Sequence, residues 1–344
     1  MLSRSKQEAD ARQLWHEVFG DSLESVSRFF GHIYREDEAF VTYVDGQVAS
    51  MLLAPRLTLR IEDGIHLPIG YLCGIATHPD HRGKGMSSEL IRQALRKERE
   101  RGDIFSTLIP AEASLFAFYE KTAGFTPAFS EWITTGPEAL IQGLNDTSPN
   151  TQTLVDFLSQ SEGSSPTPLA LHDEAWWHAV LEDYQLSEGY RIYIHEDGRG
   201  LFDGVLFIMV QPRNEVWVRA AFGQIEACKD LLQDLANQYP QHTFRYFLPT
   251  PPTATPQPKG MLRLLNLRRL LELYLQHHSE ETRAFAYRDP LFPEEDGYYL
   301  LKGGRVEKHP LLPTHNPLKQ EEILAQLNLD PLRWRLYLLC EGDL

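Results

Sequence analysis

Hydrophobic positions along the chain recur with two periods, which predict helices and strands. Hydrophobic residues stand at helical intervals over Lys6–Phe19, and a second helix is predicted from the polar cap that follows to about Arg35. Strands follow over Ala39–Tyr43 and Gln47–Leu59, and the Asp-Gly dipeptide between them favours a hairpin turn. The pattern therefore predicts a domain that mixes helices with sheet, of α/β (α+β) class.

A strand-turn-helix pattern farther along the chain contains candidate chemistry. A strand-like run, Ile69–Thr77, is separated from a helix-like run, Met86–Arg101, by a turn that includes Gly83 and Gly85. Glycine has no Cβ atom, so the backbone of such a turn can come close to a ligand. Because the first amide groups of a helix point outwards and the helix dipole attracts anions, the turn predicts a pyrophosphate site. The alternative is a glycine-containing turn that binds no ligand.

This turn resembles the acyl-CoA-binding motif of the GNAT acetyltransferase superfamily, which is written Arg/Gln-x-x-Gly-x-Gly/Ala. The matching sequence is Arg82-Gly83-Lys84-Gly85-Met86-Ser87. Ser87 departs from the last small residue of the motif, but it is itself small and its hydroxyl can donate. The resemblance implies that acetyl-CoA binds here, and that the end of the preceding strand splays from its neighbour and pairs with the pantetheine arm. The cofactor-binding residues that it implies are Gly74, Ile75, Ala76, Thr77, Arg82, Gly83, Lys84, Gly85, Met86 and Ser87.

A second motif follows at the distance expected of this superfamily. After a strand-like run, Ile104–Ile109, a short predicted helix contains Tyr119 and leads to Gly124-Phe125. In GNAT enzymes the tyrosine at this position lies beside the thioester and commonly protonates the departing thiolate. The resemblance therefore implies that Tyr119 is the catalytic acid. The alternative is a tyrosine that only packs among the neighbouring phenylalanines.

The next part of the chain, residues 136–248, repeats these element types without the motif. Helices are predicted over 151–161, 172–184 and 224–238, and strands over 191–195, 204–210, 215–220 and 242–248. This order is what a GNAT fold would keep if it had lost its cofactor turn, in which case it should not bind CoA. An unrelated α/β unit is the alternative.

The last part of the chain resembles one branch of the superfamily, the enhanced-intracellular-survival (Eis) type. A Leu-rich helix and strands over 282–288, 297–302 and 304–308 are similar to its sterol-carrier-protein-like tail. That branch has two GNAT folds, of which the first binds acetyl-CoA, and then the tail. The resemblance implies a GNAT domain over 1–135, a degenerate GNAT-like domain over 136–248, a stiff proline-rich linker over 249–258 and a sterol-carrier-protein-like domain over 259–344.

Eis-type enzymes bring their C-terminal carboxylate into the active site as the general base. The resemblance implies that role for the α-carboxylate of Leu344. The alternative is a terminus that is frayed and solvated, as most are.

Composition limits the setting of this chemistry. The net charge of -15 argues against nucleic-acid and anionic-membrane partners, and it is compatible with a cationic substrate. No apolar run approaches the roughly 18 residues that a membrane span requires, and Met1–Asp10 has no apolar signal segment. Three cysteines, Cys73, Cys228 and Cys340, are too few and too scattered for a disulfide framework or a zinc site. We therefore expect a cytoplasmic protein that binds no metal. A homo-oligomer is compatible with these features.

Taken together, these features favour an acetyl-CoA-dependent N-acetyltransferase. The acceptor would be a primary amine of a small molecule or of a lysine, which attacks the thioester directly. Two alternatives remain open: a non-catalytic acyl-CoA-binding protein, and a protein that holds an apolar ligand in the sterol-carrier-like fold. Fold-level resemblance does not identify the acceptor.

Overall fold

The computed structural model describes residues 5–144, 151 and 153–337, and the chain divides into two compact units. The first unit contains the described residues of 1–26, 34–129 and 259–334. The second contains those of 27–33, 130–258 and 335–344. Among the described residues, no helix has the length and apolar character needed to cross a bilayer.

Helices and strands together confirm the predicted mixture of α and β structure. The α-helices are α1 (Lys6–Phe19), α2 (Leu23–Ile33), α3 (Met86–Glu100), α4 (Ser114–Ala123), α5 (Pro137–Gly143), α6 (Leu154–Gly163), α7 (Glu174–Leu186), α8 (Ile225–Gln238), α9 (Leu267–His277) and α10 (Gln320–Gln326). The strands are β1 (Ala39–Val44), β2 (Gln47–Leu53), β3 (Arg56–Arg60), β4 (His66–Tyr71), β5 (Cys73–Thr77), β6 (Phe105–Leu108), β7 (Thr126–Ser130), β8 (Trp132–Thr134), β9 (Leu169–Leu171), β10 (Tyr190–Glu196), β11 (Phe202–Gln211), β12 (Glu215–Gly223), β13 (Thr243–Leu248), β14 (Pro258–Leu264), β15 (Arg283–Tyr287), β16 (Gly297–Lys302) and β17 (Arg305–His309).

Two predicted strands are each divided in the structure. The run predicted as Gln47–Leu59 forms β2 and β3, because the chain breaks at Ala54-Pro55, where proline lacks an amide donor. The run predicted as Ile69–Thr77 forms β4 and β5, which meet at Leu72 and belong to different sheets. The prediction of a single strand was therefore wrong at Ala54-Pro55 and at Leu72.

Two sheets of the first unit diverge at Leu72. In one sheet the order of its strands is β7-β14-β6-β4-β3, with β4 and β6 parallel and Tyr71 opposite Thr107. The amide of Leu72 still donates to the carbonyl of Thr107 (2.8 Å). From Cys73 onwards the chain pairs with β2 instead, in the sheet β1-β2-β5. The chain therefore opens a wedge between β5 and β6.

The core of the first unit covers one face of α3. Leu90, Ile91, Ala94 and Leu95 lie on one face of this helix and are all buried. They pack with residues of β6, α4 and β14 in one cluster. β14 lies between β7 and β6 in the sheet, so residues after the proline-rich segment contribute to this core. The sterol-carrier-like assignment of 259–344 stays a prediction.

The second unit contains one mixed sheet, in which β12 and β13 are parallel and the other neighbouring strands are antiparallel, with helices packed on it. Its strand order is β10-β11-β12-β13-β8. Helix α8 buries Cys228, Leu231 and Leu235 against this sheet, and α7 buries Trp176 and Trp177. The helices and strands predicted over residues 151–248 are all present, and α5, β8 and β9 occur in addition to them.

Candidate functional site

One edge of β5 has no strand beside it in the described part of the chain. β5 pairs with β2 through Ser50–Thr77, Met51–Ala76 and Leu53–Cys73, and its other edge faces the wedge. Backbone groups on such an edge can pair with an added extended chain. The predicted splaying of this strand from its neighbour thus has a structural counterpart in the partner change at Leu72.

Gly74 interrupts the regular geometry of β5. Its φ is +58°, in the left-handed region, and a Cβ atom added to it would lie 2.2 Å from the Trp15 ring. Only glycine is compatible with both the backbone conformation and the close packing of Trp15. Gly74 therefore serves the shape of the strand, and its role toward a ligand stays a prediction.

A buried serine that the sequence reasoning missed fixes the end of β5. The Ser50 hydroxyl donates to the carbonyl of Ala76 (2.8 Å) and lies 2.9 Å from the Thr77 hydroxyl oxygen. The Arg82 guanidinium donates from Nε to the carbonyl of Thr77 (3.2 Å). Ala76, Thr77 and Arg82 are thus held together at the point where β5 enters the turn. A polar residue inside the otherwise apolar run Ala49–Leu53 was the available signal.

Beyond β5, the turn has the backbone of an anion site. Gly83 (φ +75°) and Gly85 (φ +78°) are both left-handed, and Gly85 is the N-cap of α3 without a side-chain cap. In the described part of the chain, the backbone amides of residues 83–88 donate to no acceptor outside α3. Amides in the first turn of a helix have no acceptor within it either. The turn therefore offers a row of donors, including those of Met86 and Ser87, to an anion.

Two basic side chains add positive charge to this turn. Arg82 and Lys84 are exposed. The Lys84 ammonium donates to the carbonyl of Asp80 (2.9 Å) and lies 3.2 Å from His81 Nδ1. Both cations therefore stand beside the row of free amides. Among the described residues, no group of three or more His, Cys, Asp and Glu side chains is arranged to hold a metal ion.

Tyr119 lies in the core that connects α3 with β5. Its side chain is only 7% exposed, and burial raises the pKa of its hydroxyl to about 12. Its ring makes edge-on contacts with Phe118 (5.2 Å between centroids) and Phe125 (6.2 Å). Ile75 of β5 packs against the same cluster. The structure thus brings Tyr119 close to the strand and helix of the predicted site, where it also packs as an aromatic.

The other predicted catalytic residue, Leu344, lies outside the described residues. A carboxylate in the first unit, Glu112, is exposed before α4 and accepts a hydrogen bond from the Ser114 hydroxyl. Glu112 is thus a carboxylate of the described residues that is an alternative to the α-carboxylate of Leu344 as the base.

Comparison with known proteins agrees with this geometry. Residues 2–128 match the family model described as an acetyltransferase (GNAT) domain. No curated protein matches the sequence at a significant level. The solved structures that share the fold over most of the chain include the following three. A conserved protein from Enterococcus faecalis, a probable N-acyltransferase, is 16% identical, with a TM-score of 0.65 over 90% of this chain and 83% of its own.

Two further structures match to a similar extent. A GCN5-related N-acetyltransferase from Anabaena variabilis is 18% identical, with a TM-score of 0.63 over 89% of this chain and 84% of its own. Eis1 from Mycobacterium abscessus is 14% identical, with a TM-score of 0.61 over 92% of this chain and 84% of its own. At these identities the likeness concerns the fold, which is therefore of the same kind as that of Eis1.

Proposed function

We propose that this protein is an N-acetyltransferase that moves the acetyl group of acetyl-CoA to a primary amine, because residues 2–128 match the family model of an acetyltransferase (GNAT) domain. The acceptor is an amine of a small molecule or of a lysine side chain. The excess of acidic residues, a net charge of -15, favours acceptors that arrive as cations.

The observation that supports this proposal best is the continuity of an unpaired strand edge with an uncapped helix. β5 leads through Arg82 into the turn, and the turn ends at the N-terminus of α3. A pantetheine arm that pairs with β5 would bring its pyrophosphate to the amides of the turn. The chain's own groups therefore fit acetyl-CoA: a strand edge for the arm, free amides for the anion and two cations beside them.

Acetyl-CoA, when bound, supplies the activated acyl group, and the chain has to provide position and proton transfer. The amine must be held close to the thioester, and N–H donors must face the carbonyl oxygen as it becomes negative. The hydroxyl of Tyr119, with its pKa of about 12, keeps its proton at neutral pH and is able to give it to a thiolate. The hydroxyl is therefore present as a protonated donor.

The attacking amine must lose a proton as well. We assign this step to the α-carboxylate of Leu344, and Glu112 is the alternative acceptor in the first unit. Either carboxylate would also attract the protonated amine before it reacts.

The test is turnover against a panel of diamines, amino sugars and lysine peptides, measured as free CoA released and as acetylated amine. We expect equal amounts of both products with at least one amine class, and only slow hydrolysis without an amine. Binding of acetyl-CoA by calorimetry without turnover of any amine would favour the non-catalytic acyl-CoA-binding protein. Absence of binding would contradict both.

A further inference from the structure

The second unit contains a cavity of its own at the end of its parallel strand pair. The cavity has a volume of about 70 Å³ and lies where β12 and β13 part. These strands pair from Glu215–Thr243 to Val218–Tyr246, but both continue beyond that point. In α/β sheets, the crevice at the carboxyl ends of such strands is a common place for a ligand.

A guanidinium closes the cavity where the strands part. Arg335 Nη2 donates to the carbonyls of Arg219 (3.3 Å) and Phe247 (3.0 Å), the first residues of β12 and β13 that no longer pair with each other. Its charge lies 3.6 Å from the carboxylate of Glu131, and its buried Nε has no hydrogen-bond partner in the described part of the chain. A cation is thus fixed at one side of the cavity with a donor unused.

A carboxylate lines the cavity as well. Glu162, at the end of α6, is 1% exposed and accepts hydrogen bonds from His172 Nδ1 (2.8 Å) and the Tyr337 hydroxyl (2.6 Å). The guanidinium of Arg335 lies 4.2 Å from the centre of the same Tyr337 ring. The two opposite charges are therefore separated by about one aromatic side chain.

A buried hydroxyl beside the carboxylate is unused. Ser161 lines the cavity, is 6% exposed, and its Oγ has no hydrogen-bond partner among the described residues. Leaving such a group unpaired in the interior costs about 1–3 kcal/mol, so a native structure rarely does so without a water or a ligand. The remaining walls are mainly apolar, from Leu140, Leu169 and Phe222.

We infer that this cavity binds a small zwitterion, an α-amino acid with a short side chain such as glycine or alanine. Among the described residues that line it, Glu162 and Arg335 are the charged ones, and they have opposite signs. A zwitterion adds no net charge to a buried site and can pair with both, its ammonium with Glu162 and Ser161, its carboxylate with Arg335. Arg335 is already paired with Glu131, and Glu162 already accepts hydrogen bonds from His172, so a ligand with a net charge would unbalance the buried site, whereas a zwitterion does not. The volume admits only a few heavy atoms.

The experiment is binding of L-alanine and glycine to the full chain by saturation-transfer NMR and calorimetry, without acetyl-CoA. Ethylamine and acetate, which each carry one of the two charges, are the matched probes. We expect saturable binding of the amino acids with a Kd below about 10 mM and at least tenfold weaker binding of ethylamine and acetate. Equal binding of either single-charge probe, or no binding of an amino acid, would overturn the inference.

Variants locate the binding. Ser161→Ala removes only the unused hydroxyl, and we expect at least threefold weaker binding of L-alanine. Ser159→Ala, at a partly exposed serine of the same helix that does not line the cavity, is the control and should bind as the wild type does. Unchanged affinity in Ser161→Ala would place the amino acid elsewhere, for example at the acceptor site of the first unit, and would overturn the assignment to this cavity.

Discussion

The carboxylate of Glu98 fills the space beside Gly70 that a side chain would need: a Cβ atom added to Gly70 would lie 1.8 Å from Glu98 Oε1. Gly70 is in β4, and Glu98 is fully buried on α3. Helix and strand can approach this closely only because residue 70 has no side chain. This packing holds α3, whose other end is the proposed anion site, against the sheet.

The first prediction concerns this contact. Gly70→Ala should lower the free energy of unfolding by about 1–3 kcal/mol, since the methyl group forces the buried carboxylate or the helix to move. Urea unfolding measures it. In the double variant with Glu98→Ala, the cost of the added methyl group should largely disappear. A cost that is the same in both backgrounds would show that the two side chains do not compete for space.

A second prediction concerns pH. Burial raises the pKa of Glu98 to about 8, although the Arg101 guanidinium, 4.0 Å away, opposes this. Above about pH 4.5, Glu98 therefore loses its proton in the unfolded state but keeps it in the folded state. The free energy of unfolding consequently decreases as the pH rises from about 4.5 to about 8.

Glu98→Gln has no charge to bury and isolates this effect. Over that pH interval, we expect the variant to gain at least about 1.4 kcal/mol of unfolding free energy relative to the wild type, the equivalent of one pKa unit. The difference should level off at higher pH. A constant difference between about pH 5 and pH 9 would contradict a titrating Glu98.

A third prediction concerns the turn before α3. Arg82→Ala with Gly85→Asp should weaken acetyl-CoA binding at least tenfold, about 1.4 kcal/mol, because a charge is lost and a carboxylate faces the pyrophosphate. Calorimetry measures the affinity. The matched control is Arg199→Ala with Gly200→Asp, an arginine-glycine pair of the second unit in which the glycine is also left-handed (φ +75°) and open to solvent. Equal affinity in both folded double variants would remove the turn from the cofactor site.

A fourth prediction concerns acid catalysis. Tyr119→Phe keeps the ring that packs with Phe118 and Phe125 and removes only the hydroxyl, so stability and acetyl-CoA affinity should barely change. Turnover should fall by roughly 10²–10⁴-fold if the hydroxyl protonates the thiolate. Tyr184→Phe, at a buried tyrosine of the second unit, controls for loss of a buried hydroxyl and should keep full activity. A fall of less than about threefold in Tyr119→Phe would leave that residue with a packing role only.

A fifth prediction concerns the end of the chain. If the α-carboxylate of Leu344 is the base, deletion of Glu341–Leu344 should reduce turnover and leave acetyl-CoA affinity intact. Residues appended after Leu344 should do the same, since they move the carboxylate. A tag that ends in Asp or Glu tests whether the negative charge alone matters. Such a tag should restore turnover only if the Leu344 carboxylate acts through its charge and not through its position. Full activity of the tagged protein would transfer the role to water or Glu112.

Local sequence alone determined most helices, many strands and the glycine turn. The spacing of apolar residues over Lys6–Phe19 predicted α1 with the bounds that the structure has, because helical periodicity and capping are local properties. Gly83 and Gly85 were recognisable for the same reason: their left-handed backbone depends on residues close in sequence. The candidate anion site is built almost entirely from one such local segment.

Tertiary structure decided what depends on partners far along the chain. The run Ile69–Thr77 is uniformly strand-like, and only its exchange of β6 for β2 at Leu72 creates the open edge of β5. Ser50 contacts the end of β5 only because β2 lies beside β5. β14 pairs with β6, which precedes it by about 150 residues in the sequence. In the second unit, Arg335 reaches the point where β12 and β13 part. Strand partners and buried polar contacts of this kind are selected by packing over the whole unit, which a local pattern does not encode.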